Sequence, residues 1–342
     1  MEINLLDIKP HQVSRDMRGY IVFFYGDPKS GKTTTAVQFP NSLLLAAEKG
    51  YNAIPGVMAQ PINTWGEFKK VLRQLKEPAV KEKFETIILD TVDLFYDYCV
   101  KYICENAKRS DGGFGVDTIG DIAYGKGYTL VKQEFDECLR SVVNMGYGLV
   151  MISHAVDKTF KDEVGNEFNK IVPTLDKGGT NIVSRMADIY GYSRGVTLDD
   201  GTSVTKLFLR GTSRYAAGSR FKYTPEHIDF NYENLVNTIA DAIDMQMKET
   251  NKDYFTETRN NLYQVTELDF DVLMEEFNSI IRELTETVPE EEFVSFWQPR
   301  IVEITDKRLG KGLKVSQCSR EQTDVLSLII DDLQALVKAN KK

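Results

Sequence analysis

The sequence predicts an α/β fold, with a mostly parallel sheet under covering helices over residues 1–245 and a small helical C-terminal domain over 246–342. Three observations predict it. Short apolar runs alternate with amphipathic helical patterns through the first part of the chain. A glycine-rich loop joins the first of these runs directly to a helix-forming segment. From about residue 246 the strand signals give way to apolar residues at helical spacing. At 342 residues the chain has room for two domains.

The strands are expected at 20–25, 42–46, 86–89 and 148–152, each short, apolar and bounded by Gly, Asp, Glu or Ser. Thr64 and Glu67 have the spacing of a capping box and open a helix carrying Phe68, Val71, Leu72 and Leu75, which stops before Pro78. A longer helix is expected around 129–145. The apolar runs 189–196 and 204–209 flank Asp199-Asp200-Gly201, a hairpin signal that gives the sheet an antiparallel edge. The polar stretch 249–259 reads as a linker. Beyond it, Leu273, Phe277, Ile280 and Leu284, then Phe293, Trp297, Ile301 and Ile304, then Leu326, Ile329, Ile330 and Leu333 mark three helices.

Composition excludes several classes. Charged residues make up 27% and aromatic residues 11%, with only 10 Pro, so the chain is neither disordered nor of low complexity. The four cysteines lack CxxC spacing, which argues against a structural zinc site and a disulfide framework. No apolar run approaches the roughly 18 residues of a membrane span, and the N-terminus has no signal-like stretch, so a cytoplasmic protein with no membrane partner is expected. With 42 basic against 51 acidic residues the net charge is −9, so any polyanion site must be local. Residues 246–342 hold 13 Lys+Arg against 19 Asp+Glu, a disproportionate part of the acidic excess.

The segment Gly26-Asp27-Pro28-Lys29-Ser30-Gly31-Lys32-Thr33, followed by Thr34, fits GxxxxGK[ST] between an apolar strand and a helix. That context is what a phosphate loop requires. Its backbone N–H groups curl around a β-phosphate, Lys32 reaches the β/γ-phosphates, and Thr33 ligates Mg2+. The strand 86–89 ends in Asp90, which can hold the magnesium through water once that strand lies beside the phosphate-loop strand. Asp93 reads as the cap of the next helix. Glu48 follows the strand 42–46 and would emerge at the carboxyl edge of the sheet, where nucleotide hydrolysis needs a base or water-orienting group. Its bland alternative is a solvated loop carboxylate.

With these motifs in this order, residues 18–240 resemble the RecA-like recombinase ATPases, and more closely the phage-encoded, AAA-type P-loop ATPases related to single-strand annealing and recombination. The resemblance implies a RecA-like P-loop NTPase core using ATP and Mg2+. It implies catalytic roles for Lys32, Glu48 and Asp90, and a γ-phosphate sensor at His154, where RecA itself typically has Gln. It implies DNA-facing loops at 108–115 and 155–172. It also implies cations sent into a neighbouring subunit's nucleotide, or onto DNA, from Lys206, Arg210, Arg214 and Arg220, and with them a homo-oligomer, ring or filament; read from the residues alone, these four with Lys222 are equally a solvated hairpin face. Tyr215, Phe221 and Tyr223 among these cations would either stack on bases or join the core. Lys307, Arg308, Lys311 and Lys314 read first as a solvated loop, and alternatively as a grip on nucleic acid.

The function expected from these features is a Mg-dependent ATPase acting on single-stranded DNA in phage recombination or replication, alongside the proteins of those processes in the bacterial host cytoplasm. The alternative is an ATP-switched partner-binding or loader protein that makes no direct DNA contact.

Overall fold

The structure, a computed structural model, describes residues 6, 8–109, 112–122, 125–259 and 268–340. The strands in chain order are β1 (Val13–Ser14), β2 (Ile21–Gly26), β3 (Ser42–Ala46), β4 (Ala59–Pro61), β5 (Thr86–Asp90), β6 (Gly148–Lys161), β7 (Glu167–Pro173), β8 (Ile189–Thr197), β9 (Ser203–Phe208), β10 (Gly218–Ser219), β11 (His227–Asp229) and β12 (Phe255–Thr256). The helices are α1 (Lys32–Ala36), α2 (Trp65–Gln74), α3 (Pro78–Lys83), α4 (Val92–Asn106), α5 (Lys126–Asn144), α6 (Lys177–Met186), α7 (Tyr232–Glu249), α8 (Phe270–Thr287), α9 (Glu290–Glu292), α10 (Gln298–Leu309) and α11 (Thr323–Asn340).

One sheet runs in the order β11-β9-β8-β2-β6-β5-β3-β4, with β7 and β10 paired off its path. From β8 to β4 every neighbouring pair is parallel, while β9, β10 and β11 add the expected antiparallel edge. The central strands are buried on both faces, which is why they read as unbroken apolar runs. In β2, Phe23 and Tyr25 pack on one side with Trp65, Phe68, Phe95 and Phe135, while Val22 and Phe24 pack on the other with Leu235, Ile239 and Ile243. Each large side chain so buried contributes about 1.5–3 kcal/mol over its exposed state. This is the mostly parallel α/β core the sequence predicts, except that β6 stands between β2 and β5, which are not the neighbours expected.

Thr64 accepts a bond from the Glu67 N–H at 3.2 Å, as its spacing requires, and Pro78 opens α3 rather than merely ending α2. The edge strand β4 carries no apolar run and escapes sequence reading; Pro61 is tolerated there because an edge strand need not donate to a ladder.

Two expectations are corrected. The boundary expected at 245 falls instead between residues 264 and 265. The supposed linker belongs to the first unit: β12 pairs with β1, and Arg259 reaches the backbone carbonyls of Glu85 (3.3 Å) and Gly146. The stretch 155–172, expected as a loop, is a β-hairpin, because β6 runs on past the sheet and β7 returns along it from Lys161–Glu167 to Ala155–Pro173. Within the other expected loop, Ser110 and Asp111 lie outside the described residues.

In the second unit α8, α10 and α11 enclose Leu273, Val315, Leu326, Ile329 and Ile330, with Leu284, Trp297 and Leu333 forming a further cluster. Among the described residues no helix is long and apolar enough to cross a membrane, and the four cysteines are free thiols.

Candidate functional site

The parallel register brings the carboxyl ends of β2, β3 and β5 level with the middle of β6 and β8. Gly26 stands opposite both His154 of β6 and Ser193 of β8, and Asp90 stands opposite Ala46 and Ile152. The loop after Gly26 is fixed before any ligand arrives. Asp27 N–H donates to the Ser193 carbonyl (3.3 Å), and the hydroxyls of Ser30 and Ser193 share a buried bond of 2.7 Å. A Cβ on Gly26 would sit 2.0 Å from the Ser193 carbonyl oxygen, so this close approach admits only glycine. Ser193 is a functional neighbour that sequence reading misses: it sits inside a strand and meets the loop only through tertiary pairing.

Gly31, with φ 81°, caps α1, which is only five residues long. The phosphate site therefore rests less on a helix dipole than expected and more on the free N–H groups of the first turn and on Lys32. Lys32 is buried, and its Nζ donates to the carbonyls of Gly26 (3.0 Å) and Asp27 (2.7 Å). Burial pushes its ammonium below the ordinary lysine range, against the pull of Asp90 and Asp27.

Thr33 Oγ1 donates to Asp90 Oδ2 at 2.7 Å, so the two expected magnesium ligands are in contact. Burial pushes the Asp90 carboxyl up, with the Thr33 bond opposing. A hard divalent cation fits this donor set: one hydroxyl and one carboxylate, with the remaining ligands left to phosphate and water as Mg2+ prefers. Among the described residues no cluster of three or more His, Cys, Asp or Glu offers a rival all-protein cage.

Glu48 follows β3, its N–H donating to the Asp90 carbonyl at 3.3 Å. Thr91 Oγ1 donates to Glu48 Oε1 (3.2 Å), and His154 Nε2 lies 3.6 Å from that same oxygen. His154 Nδ1 is buried with no hydrogen-bond partner among the described residues. Pro28, Lys29, Ser30, Gly31, Lys32, Thr33, Thr34, Glu48, Asp90 and His154 all line one cavity of about 390 Å³, together with Gly50 and Ile152. Of the residues expected in catalysis or phosphate binding, Gly26 and Asp27 do not line this cavity; they meet it through their carbonyls, which accept from Lys32 Nζ.

Residues 18–221 match the sequence profile described as AAA domain. The chain belongs to the AAA-domain family. It is 34% identical to the SPbeta prophage-derived uncharacterized protein YorG of Bacillus subtilis over 98% of this chain and 99% of that protein. Among solved structures, the flagellar accessory protein FlaH of Methanocaldococcus jannaschii aligns with 63% of this chain and 85% of its own, at 11% identity and a TM-score of 0.33.

Within this AAA domain Asp93 is not the helix cap. Thr91 holds that position, and Asp93, one residue into α4, accepts from Ser153 Oγ (3.0 Å) and Thr174 Oγ1 (2.6 Å). Thr174 N–H in turn donates to the His154 carbonyl at 2.9 Å. Asp93 thereby ties the end of the sheet portion of β6 to the returning end of the hairpin.

The expected trans cations separate on inspection. Lys206 pairs with Asp229 at 2.6 Å, and Arg210 donates to the carbonyls of Phe221, Lys222 and Thr224, holding the chain after β9. Arg220 pairs with Asp188 at 2.9 Å, beside Ile21 at the start of β2, so it lies at the opposite edge of the sheet from the phosphate loop. These three have structural work. Arg214 alone is exposed with no ion pair among the described residues, on a loop whose backbone bonds to Ile171 of the hairpin. Tyr215 and Phe221 are buried in the core rather than presented to bases.

Proposed function

We propose that this AAA domain is a Mg-dependent ATPase of the RecA-like class whose cycle controls single-stranded DNA binding in phage recombination or replication, in an annealing or recombinase role in the host cytoplasm. One observation carries it: β6 passes without a break from His154, at the cavity, into a hairpin whose exposed Phe160 and Phe168 stack at 5.9 Å. Stacked, solvent-facing aromatics suit unpaired bases, which every sequence of single strand offers.

In this reading the loop amides and Lys32 bind the phosphates, and Lys32 offsets the charge that gathers on the leaving β-phosphate as the bond to the γ-phosphorus breaks. Thr33 and Asp90 would hold Mg2+, which would supply neutralisation of the phosphate charge. Glu48 orients the attacking water and takes its proton, while Thr91 fixes the carboxylate. His154 senses the γ-phosphate; its carbonyl and Asp93, both bonded to Thr174, pass the change to the hairpin. In a homo-oligomer, Arg214 is the remaining candidate for a cation acting across subunits.

A second reading, an ATP-switched partner-binding or loader protein, is favoured by the hairpin's charge. Residues 155–173 hold three Lys against four Asp+Glu, with no net attraction for a polyanion. ATP turnover measured with and without single-stranded DNA separates the two. Stimulation by DNA, lost in Phe160→Ala/Phe168→Ala, supports the first; turnover indifferent to DNA, with no DNA bound, supports the second.

A further inference from the structure

We propose that the segment between α10 and α11 binds the phosphate backbone of a polynucleotide through Lys307, Lys311 and Lys314. This site lies in the helical unit and stands apart from the nucleotide reading of the core.

The sequence segregates charge sharply here. Residues 307–320 hold five Lys+Arg and no Asp or Glu, whereas residues 268–306 hold two Lys+Arg against eleven Asp+Glu. A face meant only for solvation intersperses the signs, because like charges close together repel. The structure separates the five cations into two kinds. Arg308 pairs with Asp332 of α11 at 2.8 Å, and Arg320 grips both oxygens of Asp271 of α8 at 2.9 and 2.7 Å. With Val315 buried in the core, these contacts pin the segment at both ends and in the middle. The three lysines are exposed and make no ion pair among the described residues.

The turn that carries them is already ordered. Gly310 (φ 109°) and Gly312 (φ 81°) take conformations that a side chain resists. Gly312 N–H donates to Asp306 Oδ1 (2.8 Å), Leu313 N–H to the Gly310 carbonyl (3.2 Å), and Lys314 N–H to Gln317 Oε1 (2.8 Å). The nearby carboxylate, Asp306, is thus engaged by the loop it would otherwise oppose. A rigid turn with three unpaired ammonium groups binds a row of phosphates without first paying to order itself. Leu313 is the one large apolar side chain exposed on the turn, too little for insertion into a lipid surface, which favours a polynucleotide over a membrane.

The test uses the full chain without nucleotide, binding a labelled oligothymidylate of about 30 residues across a salt series. Lys307→Ala/Lys311→Ala/Lys314→Ala should bind at least about tenfold more weakly at low salt and flatten the log–log salt slope by about 2, at roughly 0.7 per phosphate contact. DNA-independent ATP turnover should be unchanged. The matching triple Lys→Arg variant should bind like wild type, which separates lost charge from lost folding. Equal affinity and slope in wild type and the Ala variant would overturn the site, as would loss of binding only to phosphatidylserine vesicles. Because the hairpin aromatics are tested by Phe160→Ala/Phe168→Ala, failure here leaves the reading of the core untouched.

Discussion

The two edges of the central sheet use the same residue types to opposite ends. At the amino edge charges are matched: Arg18 binds Asp16 (2.8 Å through Nε) and Glu85 (3.0 Å), Asn41 and Arg259 also hold Glu85, and Asp188 is shared by Arg220 and the Ile21 N–H. At the carboxyl edge they are not. Among the described residues, Lys32 donates only to backbone carbonyls, the Asp90 carboxylate accepts from a single hydroxyl, and His154 Nδ1 has no partner. The carboxyls show the difference. Burial raises both Asp16 and Asp90, but at Asp16 the hydrogen bonds and charge of Arg18 outweigh it and hold the group below its ordinary value, while Asp90 stays above. Buried charge that the fold satisfies is architecture; buried charge left for a ligand marks a site.

The largest effect expected from breaking this contrast is on nucleotide affinity. Lys32→Ala removes a charged donor from an anionic ligand in a desolvated site, so ATP affinity should fall by about a hundredfold or more while the melting temperature holds. Calorimetric titration checks it; unchanged affinity in a folded variant would remove the phosphate loop from the account. Next is Glu48→Gln, which should bind ATP normally yet turn it over about a hundredfold more slowly.

At the amino edge the expected losses are of stability alone. Arg259→Ala leaves Glu85 and two carbonyls short of a donor and should cost about 1–3 kcal/mol by denaturant unfolding, with ATP affinity intact. A chain ending at 264 should fold and bind nucleotide, while one ending at 245 loses both β12 and Arg259 and should melt earlier.

That last pair marks where the sequence stopped being legible. The phosphate loop, Glu48, Asp90 and His154 were readable because each ends or closely follows a buried apolar run, and such runs in a parallel sheet finish at one edge. Arg259 was not, because a polar run carries no periodicity and its partners lie more than a hundred residues away at Glu85 and Gly146. Asp93 failed for a related reason: its position after Asp90 fits a cap, and only the fold brings Ser153 and Thr174 to it. The hairpin beyond His154 was hidden because its polar strands lack a buried face to impose alternation.

The smallest effect concerns acid. The folded Asp16 carboxyl titrates below its unfolded value, so the stability it contributes is present above the unfolded value near pH 4 and is lost as pH falls through the folded one. Asp16→Asn should therefore show a shallower loss of melting temperature between about pH 5 and 3 than wild type. Identical slopes would mean that the Arg18 contact contributes nothing.

Side-by-side ATP binding and Mg-dependent hydrolysis by wild type, Glu48→Gln and Arg259→Ala, below the melting point of each, test the contrast between the two edges most directly. Glu48→Gln should bind ATP but scarcely turn it over, while Arg259→Ala should do both at the wild-type level. Wild-type turnover in Glu48→Gln, or turnover abolished in a folded Arg259→Ala, would contradict that contrast.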